Sequence, residues 1–297
     1  MICGRLVLGT AQLGMKYGIN NLNGRPQRAE VVEMVSEAWN GGIREFDTAQ
    51  DYADSESVLG DAFSALGISE AVVTSKISSK TVDGGIQSLD AALARSLDRL
   101  KTSVLSLLLL HNESQIDLWE QGIGDWFQVQ KRKGHVRKAG VSVYAPERAL
   151  AALQIEGVDA VQVPANILDR RMDQAGVFEM AQAKGKEIYI RSVFLQGALL
   201  MKPSAVPDRI GFLKEPVRQV RDCAKELKLP VPSFCFHYAA QKWPQAKIIV
   251  GSETAEQVRS NVMLACDDVS LLPIASIDER IQCLLETAVN PPLWPKT

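Results

Sequence analysis

Four side chains in the first half of the sequence have the types needed to move a proton onto a carbonyl oxygen. Asp47 and Tyr52 lie in EFDTAQDY, Lys76 closes AVVTSK, and His111 closes LSLLLLH. A tyrosine ordinarily titrates at about 10 and is a weak acid at neutral pH. A neighbouring Lys⁺ favours the phenolate and lowers that value. Asp47 can hold the lysine in place and keep it charged, and His111 can donate a hydrogen bond to a substrate oxygen. A second chemistry is open to the same set: a Schiff base on Lys76, as in an aldolase. That reading leaves Tyr52 without a role and needs a lysine that Asp47 would keep protonated.

These residues meet only if the segments carrying them lie side by side. Short apolar, β-branched runs recur at RLVLGT (5–10), REFDTA (44–49), AVVTSK (71–76), LSLLLL (105–110), KAGVSV (138–143), DAVQVP (159–164), EIYIRS (187–192) and AKIIVG (246–251). They are nearly continuous in apolar character, as strands covered on both faces are. Between them run segments of helical period. Ile86, Leu89, Leu93, Leu97 and Leu100 fall on one face of a helix predicted within 83–100. Pro146 suits the first turn of the next such helix, and Thr254 with Gln257 has the spacing of a capping box.

Alternating units of this kind predict a parallel (β/α)₈ barrel spanning 1–297 as a single domain. An extended loop and helix insertion is expected around 198–230, and a C-terminal tail after about 266. A doubly wound sheet is the runner-up; against it, the first strand is followed by GTAQLG rather than a GxGxxG turn. Active sites of such barrels lie at the C-terminal strand ends. Those positions here hold Thr10, Asp47, Lys76, His111, Ser142, Gln162, Ser192 and Ser252, polar groups closing apolar strands.

GTAQLG, FDTAQDYADSE, VVTSK, LLLLH, KAGVSVY, AVQVPAN and IIVGSETAEQVRSN occur in the order seen in aldo-keto reductases, and the chain resembles that family from about residue 5 to residue 265. The resemblance implies NAD(P)H-dependent reduction of an aldehyde or ketone. Tyr52 would be the proton donor, Lys76 and Asp47 would tune it, and His111 would orient or polarise the carbonyl. It also implies a cofactor site. Gly9, Thr10, Ala11 and Asp47 would lie beside the cofactor, and Ser142, Gln162 and Asn166 near the carboxamide. Ser192, Leu195 and Gly197 would follow the pyrophosphate, and Gly251, Ser252, Thr254 and Asn261 the adenosine end. NADP(H) is the family's usual cofactor, with NAD(H) the alternative; Arg259 and Lys247 are the basic residues available for a 2′-phosphate.

The sequence departs from the family at Arg191, where many members carry an aromatic residue that stacks on the nicotinamide. Arg191 is read as meeting a cofactor phosphate or a substrate carboxylate. It also keeps alive an alternative function, a nicotinamide-binding regulatory or partner protein with little turnover. Met15, Tyr17, Tyr52, Trp119 and Phe194 are candidates to line a substrate pocket, and MKYGINNLNGRP is a candidate cover for it.

The composition narrows the remaining classes. A net charge of −2 gives no reason to expect nucleic acid or a membrane surface as partner. Five cysteines without a CxxC pair argue against a disulfide framework and fit a reducing compartment. The N-terminal MICGRLVLGTAQLG reads as a strand rather than a signal peptide, so a cytoplasmic location is expected. Three histidines without HxxxH or HExxH spacing predict no metal site. His237 is read as a helix residue satisfied locally. The expected partner is a small carbonyl substrate; oligomeric state is not legible.

Overall fold

In a computed structural model, describing residues 2–21, 23–82 and 84–295, eight parallel strands close into a barrel in sequence order. The side chains of Ile2, Cys3 and Ile86 also lie outside the described residues, so the core position expected for Ile86 lies outside them too. The strands are β1 (Leu6–Gly9), β2 (Glu45–Asp47), β3 (Val72–Ile77), β4 (Leu105–Leu110), β5 (Val136–Ser142), β6 (Ala160–Pro164), β7 (Glu187–Arg191) and β8 (Lys247–Gly251). Every run read as a strand forms one. β5 begins earlier than its apolar run because Val136 pairs with Leu105 of β4.

β4 shows why the runs are apolar throughout. Leu107 and Leu109 enter the barrel with Val7, Ala160, Tyr189 and Ile249, while Leu108 and Leu110 join the core between strands and helices. Period-two alternation sends successive side chains to opposite faces, and here both faces are dry. Below this interior layer the barrel floor is closed by Lys247 and Glu45, paired at 2.7 Å, with the Tyr189 hydroxyl 3.1 Å from the Lys247 amine.

The helix Ile86–Leu100 buries Leu89, Leu93 and Leu100 on the face its spacing implied. Pro146 opens the helix Pro146–Gln154. Thr254 caps Ala255–Cys266 by accepting from the Gln257 amide, but Gln257 returns its side-chain oxygen to the Glu253 N–H, one residue before the expected partner. Between β7 and β8 run 3₁₀ turns within Leu195–Leu213, then the helices Lys214–Glu226 and Val231–Lys242. The tail beyond Cys266 docks through Arg170, whose guanidinium donates to the carbonyls of Ile167, Asp278 and Ile281.

Two expectations about single residues change. Cys266 is disulfide-bonded, whereas Cys223, Cys235 and Cys283 are free, so the thiols are not all independent. His237 is fully buried edge-on to Phe236, and neither ring nitrogen makes a hydrogen bond of good geometry. Burial pulls its pKa below the ordinary value, so it is a neutral core residue. Among the described residues no helix is long and apolar enough to cross a membrane, and no three His, Cys, Asp or Glu side chains group to hold a metal ion.

Candidate active site

The barrel brings the proposed acid–base residues together at the C-terminal ends of β2, β3 and β4. The fully buried Lys76 ammonium donates to Asp47 Oδ1 at 2.6 Å and to the Thr48 carbonyl at 2.9 Å, and lies 3.3 Å from the Tyr52 hydroxyl. Gln162 Nε2 donates to the other Asp47 oxygen at 2.7 Å. The carboxylate is therefore spent on one cation and one amide, as a buried charge must be. The turn before Tyr52 is fixed by hydroxyls: Thr10 Oγ1 donates to the Asp47 carbonyl, and Ser55 joins Thr10 and Thr48.

Tyr52 sits where its chemistry requires, but its environment differs from the expected one. Burial raises its pKa above the ordinary value, and the Asp47 charge raises it further, while Arg191 works in the opposite direction. Lys76 is itself pulled down by burial and held up by Asp47. Tyr52 thus keeps its proton in the resting protein, with the Lys76 and Arg191 cations beside it.

His111 meets Tyr52 edge-on, ring centroids 5.6 Å apart. Its Nδ1 lies 3.0 Å from Asp51 Oδ2, a partner that sequence reading missed although Asp51 adjoins Tyr52. The bond to His111 holds the Asp51 carboxyl below its usual value. A carboxylate on Nδ1 fixes which ring nitrogen faces the other way.

Close backbone approach also sets this geometry. A Cβ on Gly14 would fall 1.8 Å from the Tyr52 carbonyl oxygen and 2.7 Å from the Ser55 amide. We expect Gly14→Ala to push the short helix Ala11–Gly14 off the Tyr52 turn. It should cost about 1–3 kcal/mol in stability and lower turnover, read by thermal melts and steady-state rates. Wild-type values in both would show that the turn tolerates the shift.

A cavity of about 310 Å³ opens beside Tyr52 and Asp47. Of the residues read as cofactor-binding, Gly9, Thr10, Ala11, Gln162, Arg191, Ser192, Gly197, Gly251 and Asn261 line it. Ser142, Asn166, Leu195, Ser252 and Thr254 are not among its lining. Asn166 is fully buried, donating to the Ser192 carbonyl and accepting from the amides of Leu168 and Asp169; it braces the loop after β7. Ser252 accepts from Asn261, and Leu195 is core. Tyr17 and Phe194 line the cavity, with Gly18 and Asn20 of the segment after β1. That segment reaches the β7 loop, Ile19 donating to the Gln196 carbonyl and Gln196 to the Tyr17 hydroxyl.

Three expectations fail. Trp119 is buried against Phe127 and bonded to the Glu156 carbonyl, because its helical turn folds inward. Lys247 opens β8 and so lies at the floor, paired with Glu45. Arg259 faces the helix Arg28–Asn40 and pairs with Glu37 at 3.1 Å. Neither basic residue is in the cavity lining.

The lining suits a nicotinamide dinucleotide. Gly9 and Gly251 pair across β1 and β8, and a Cβ on Gly251 would meet the Gln12 amide at 2.5 Å, so the groove has a floor without side chains. The loop after β7 holds Ser192, Leu195 and Gln196 at φ of 61°, 47° and 53°, with Gly197 at 90°. Left-handed residues in a turn can aim successive N–H groups at an anion such as a pyrophosphate. The strain they carry is of the kind found at ligand sites.

A closed parallel barrel with a buried Lys–Asp–Tyr cluster at its C-terminal mouth defines an acid–base barrel enzyme with room for a borrowed redox cofactor. A model of the Aldo/keto reductase family matches residues 5–279, and the chain belongs to that family, an NAD(P)H-dependent carbonyl reductase. It is similar to an NADH-specific methylglyoxal reductase of Escherichia coli, 24% identical over 87% of this chain and 88% of that protein. A glyoxal reductase of Bacillus subtilis is 28% identical over 58% of this chain and 60% of that protein. Among solved structures, an aldo-keto reductase of Bacillus halodurans in its holo form gives a TM-score of 0.78 at 20% identity, covering 95% of this chain and 93% of that one.

Proposed function

We propose that the protein reduces small aldehydes or ketones with NADH as its preferred donor and Tyr52 as proton source. The observation that carries the reading is Tyr52, which lines the cavity while its hydroxyl lies 3.3 Å from Lys76 of the buried Lys76–Asp47 pair. A reduced nicotinamide supplies the hydride when bound. Tyr52 then gives its proton to the carbonyl oxygen while Lys76 stabilises the phenolate left behind. His111, held through Nδ1 by Asp51, presents its other nitrogen to that oxygen. Gln162 keeps Asp47 in register.

The preference for NADH replaces the family's usual NADPH for electrostatic reasons. Among the described residues Arg191 is the only Lys or Arg in the cavity lining, and it lies at the Tyr52 end. The far end carries Glu253 with Gln257, Ser260 and Asn261. A carboxylate there accepts from ribose hydroxyls and repels a 2′-phosphate. The NADH-specific E. coli relative is consistent with this choice. Titrating tryptophan fluorescence with each cofactor tests it. NADH should bind tighter by about tenfold or more, Glu253→Arg should close most of that gap, and both should be consumed only with an aldehyde present. Tighter NADPH binding by the unaltered protein would reverse the assignment.

A further inference from the structure

Among the Lys and Arg side chains around Tyr52, Arg191 differs from Lys76 in lacking an ion-pair partner among the described residues. Lys76 is matched by Asp47 and His111 by Asp51. Arg191, the last residue of β7, forms no ion pair among the described residues, yet it lines the cavity. Its guanidinium carbon lies 4.0 Å over the Tyr144 ring, and Nη2 donates to the Val143 carbonyl at 3.2 Å. Stacking and one hydrogen bond hold the group while leaving most of its five donor N–H groups free. Its charge is felt at Tyr17, Tyr52 and Lys76, which places it beside the acid and away from Glu253.

We propose that Arg191, held by Tyr144, is a substrate-binding residue that receives a carboxylate, so that the preferred substrates are oxo acids: carbonyl compounds carrying one carboxylate apart from the carbonyl that is reduced. The inference rests on the carbonyl reductase reading and names the substrate class of that same site.

Three features argue for a carboxylate on the substrate over a phosphate of the cofactor. The acid end is where the carbonyl must sit, since Tyr52 must reach its oxygen. Oxidised nicotinamide is cationic, and an unmatched guanidinium beside it is unfavourable until an anion arrives. A guanidinium without an ion-pair partner takes a carboxylate in the planar, two-oxygen geometry it pairs best. Tyr17 adds a hydroxyl to the same wall; burial pushes its pKa up to about 12, so it stays a neutral donor.

The test compares 4-oxobutanoate with its methyl ester as substrates under NADH, in the unaltered protein, Arg191→Gln and Arg191→Lys. The unaltered protein should favour the acid by roughly tenfold or more in kcat/KM, and Arg191→Gln should erase that preference through KM. Arg191→Lys should restore part of it, because it keeps the charge and loses the fork. The NADH dissociation constant should change by less than about threefold. Equal losses for acid and ester would overturn the proposal, as would weakened NADH binding with the acid-to-ester ratio unchanged. Calorimetric binding of 4-hydroxybutanoate to the cofactor-free protein gives a readout apart from turnover. Binding that disappears in Arg191→Gln supports the assignment, and binding that survives it overturns it. If the unaltered protein reduces neither compound, nor any other carbonyl, the reductase reading fails on its own, and the binding result still decides the role of Arg191.

Discussion

Tyr52→Phe should lower turnover by about 10²–10⁴-fold, the usual worth of a positioned general acid, while NADH binding changes little. The substitution removes one oxygen from a ring that is otherwise held in place. That ring meets His111 edge-on and has the Lys76 ammonium 4.8 Å from its centroid, contacts that phenylalanine keeps. The loss should therefore fall on kcat, and single-turnover reduction of a bound aldehyde should show it directly. A variant that loses cofactor affinity and turnover in equal measure would place the hydroxyl in binding rather than in proton transfer.

Lys76→Met should harm both stability and chemistry. It leaves Asp47 buried with Gln162 as its remaining side-chain partner, and breaking one side of a buried ion pair costs about 3–5 kcal/mol. The melting temperature should fall by roughly 5–10 °C. Adding Asp47→Asn should recover much of the stability, since a neutral amide no longer needs the cation, but none of the turnover. Differential scanning calorimetry of the single and double variants distinguishes this from simple loss of packing: a double variant no more stable than Lys76→Met would show that the aliphatic stem, not the charge, holds this part of the barrel.

Much of this architecture was legible because each strand is dry on two faces. LSLLLL could only be a short strand with both sides buried, and its successors follow the same logic. Asp47, Tyr52 and Lys76 were legible for the complementary reason: polar groups closing apolar strands have to face the mouth. Side-chain direction was harder. Arg259 sits on a helix whose exposed face happens to oppose Glu37, and no local pattern shows that. Lys247 illustrates a different limit, since the first residue of a barrel strand belongs to the floor however suggestive its charge. Asp51 was hidden because its partner stands 60 residues away. The direction of the Tyr52 pKa was misread because a neighbouring cation is visible in sequence and the depth of burial is not. Arg191 was visible as an oddity, but its stacking on Tyr144 needed two strand ends to be placed side by side.

The sealed barrel floor has a kinetic meaning. Beneath the acid lie Leu107, Leu109 and Tyr189, and beneath them the Glu45–Lys247 pair. Glu45, Lys247 and Tyr189 bond to one another there. In the proposed reaction, the proton that leaves Tyr52 with each product is replaced from the mouth, through the same opening by which the next substrate arrives. Reloading the acid and exchanging the product are therefore successive uses of one doorway.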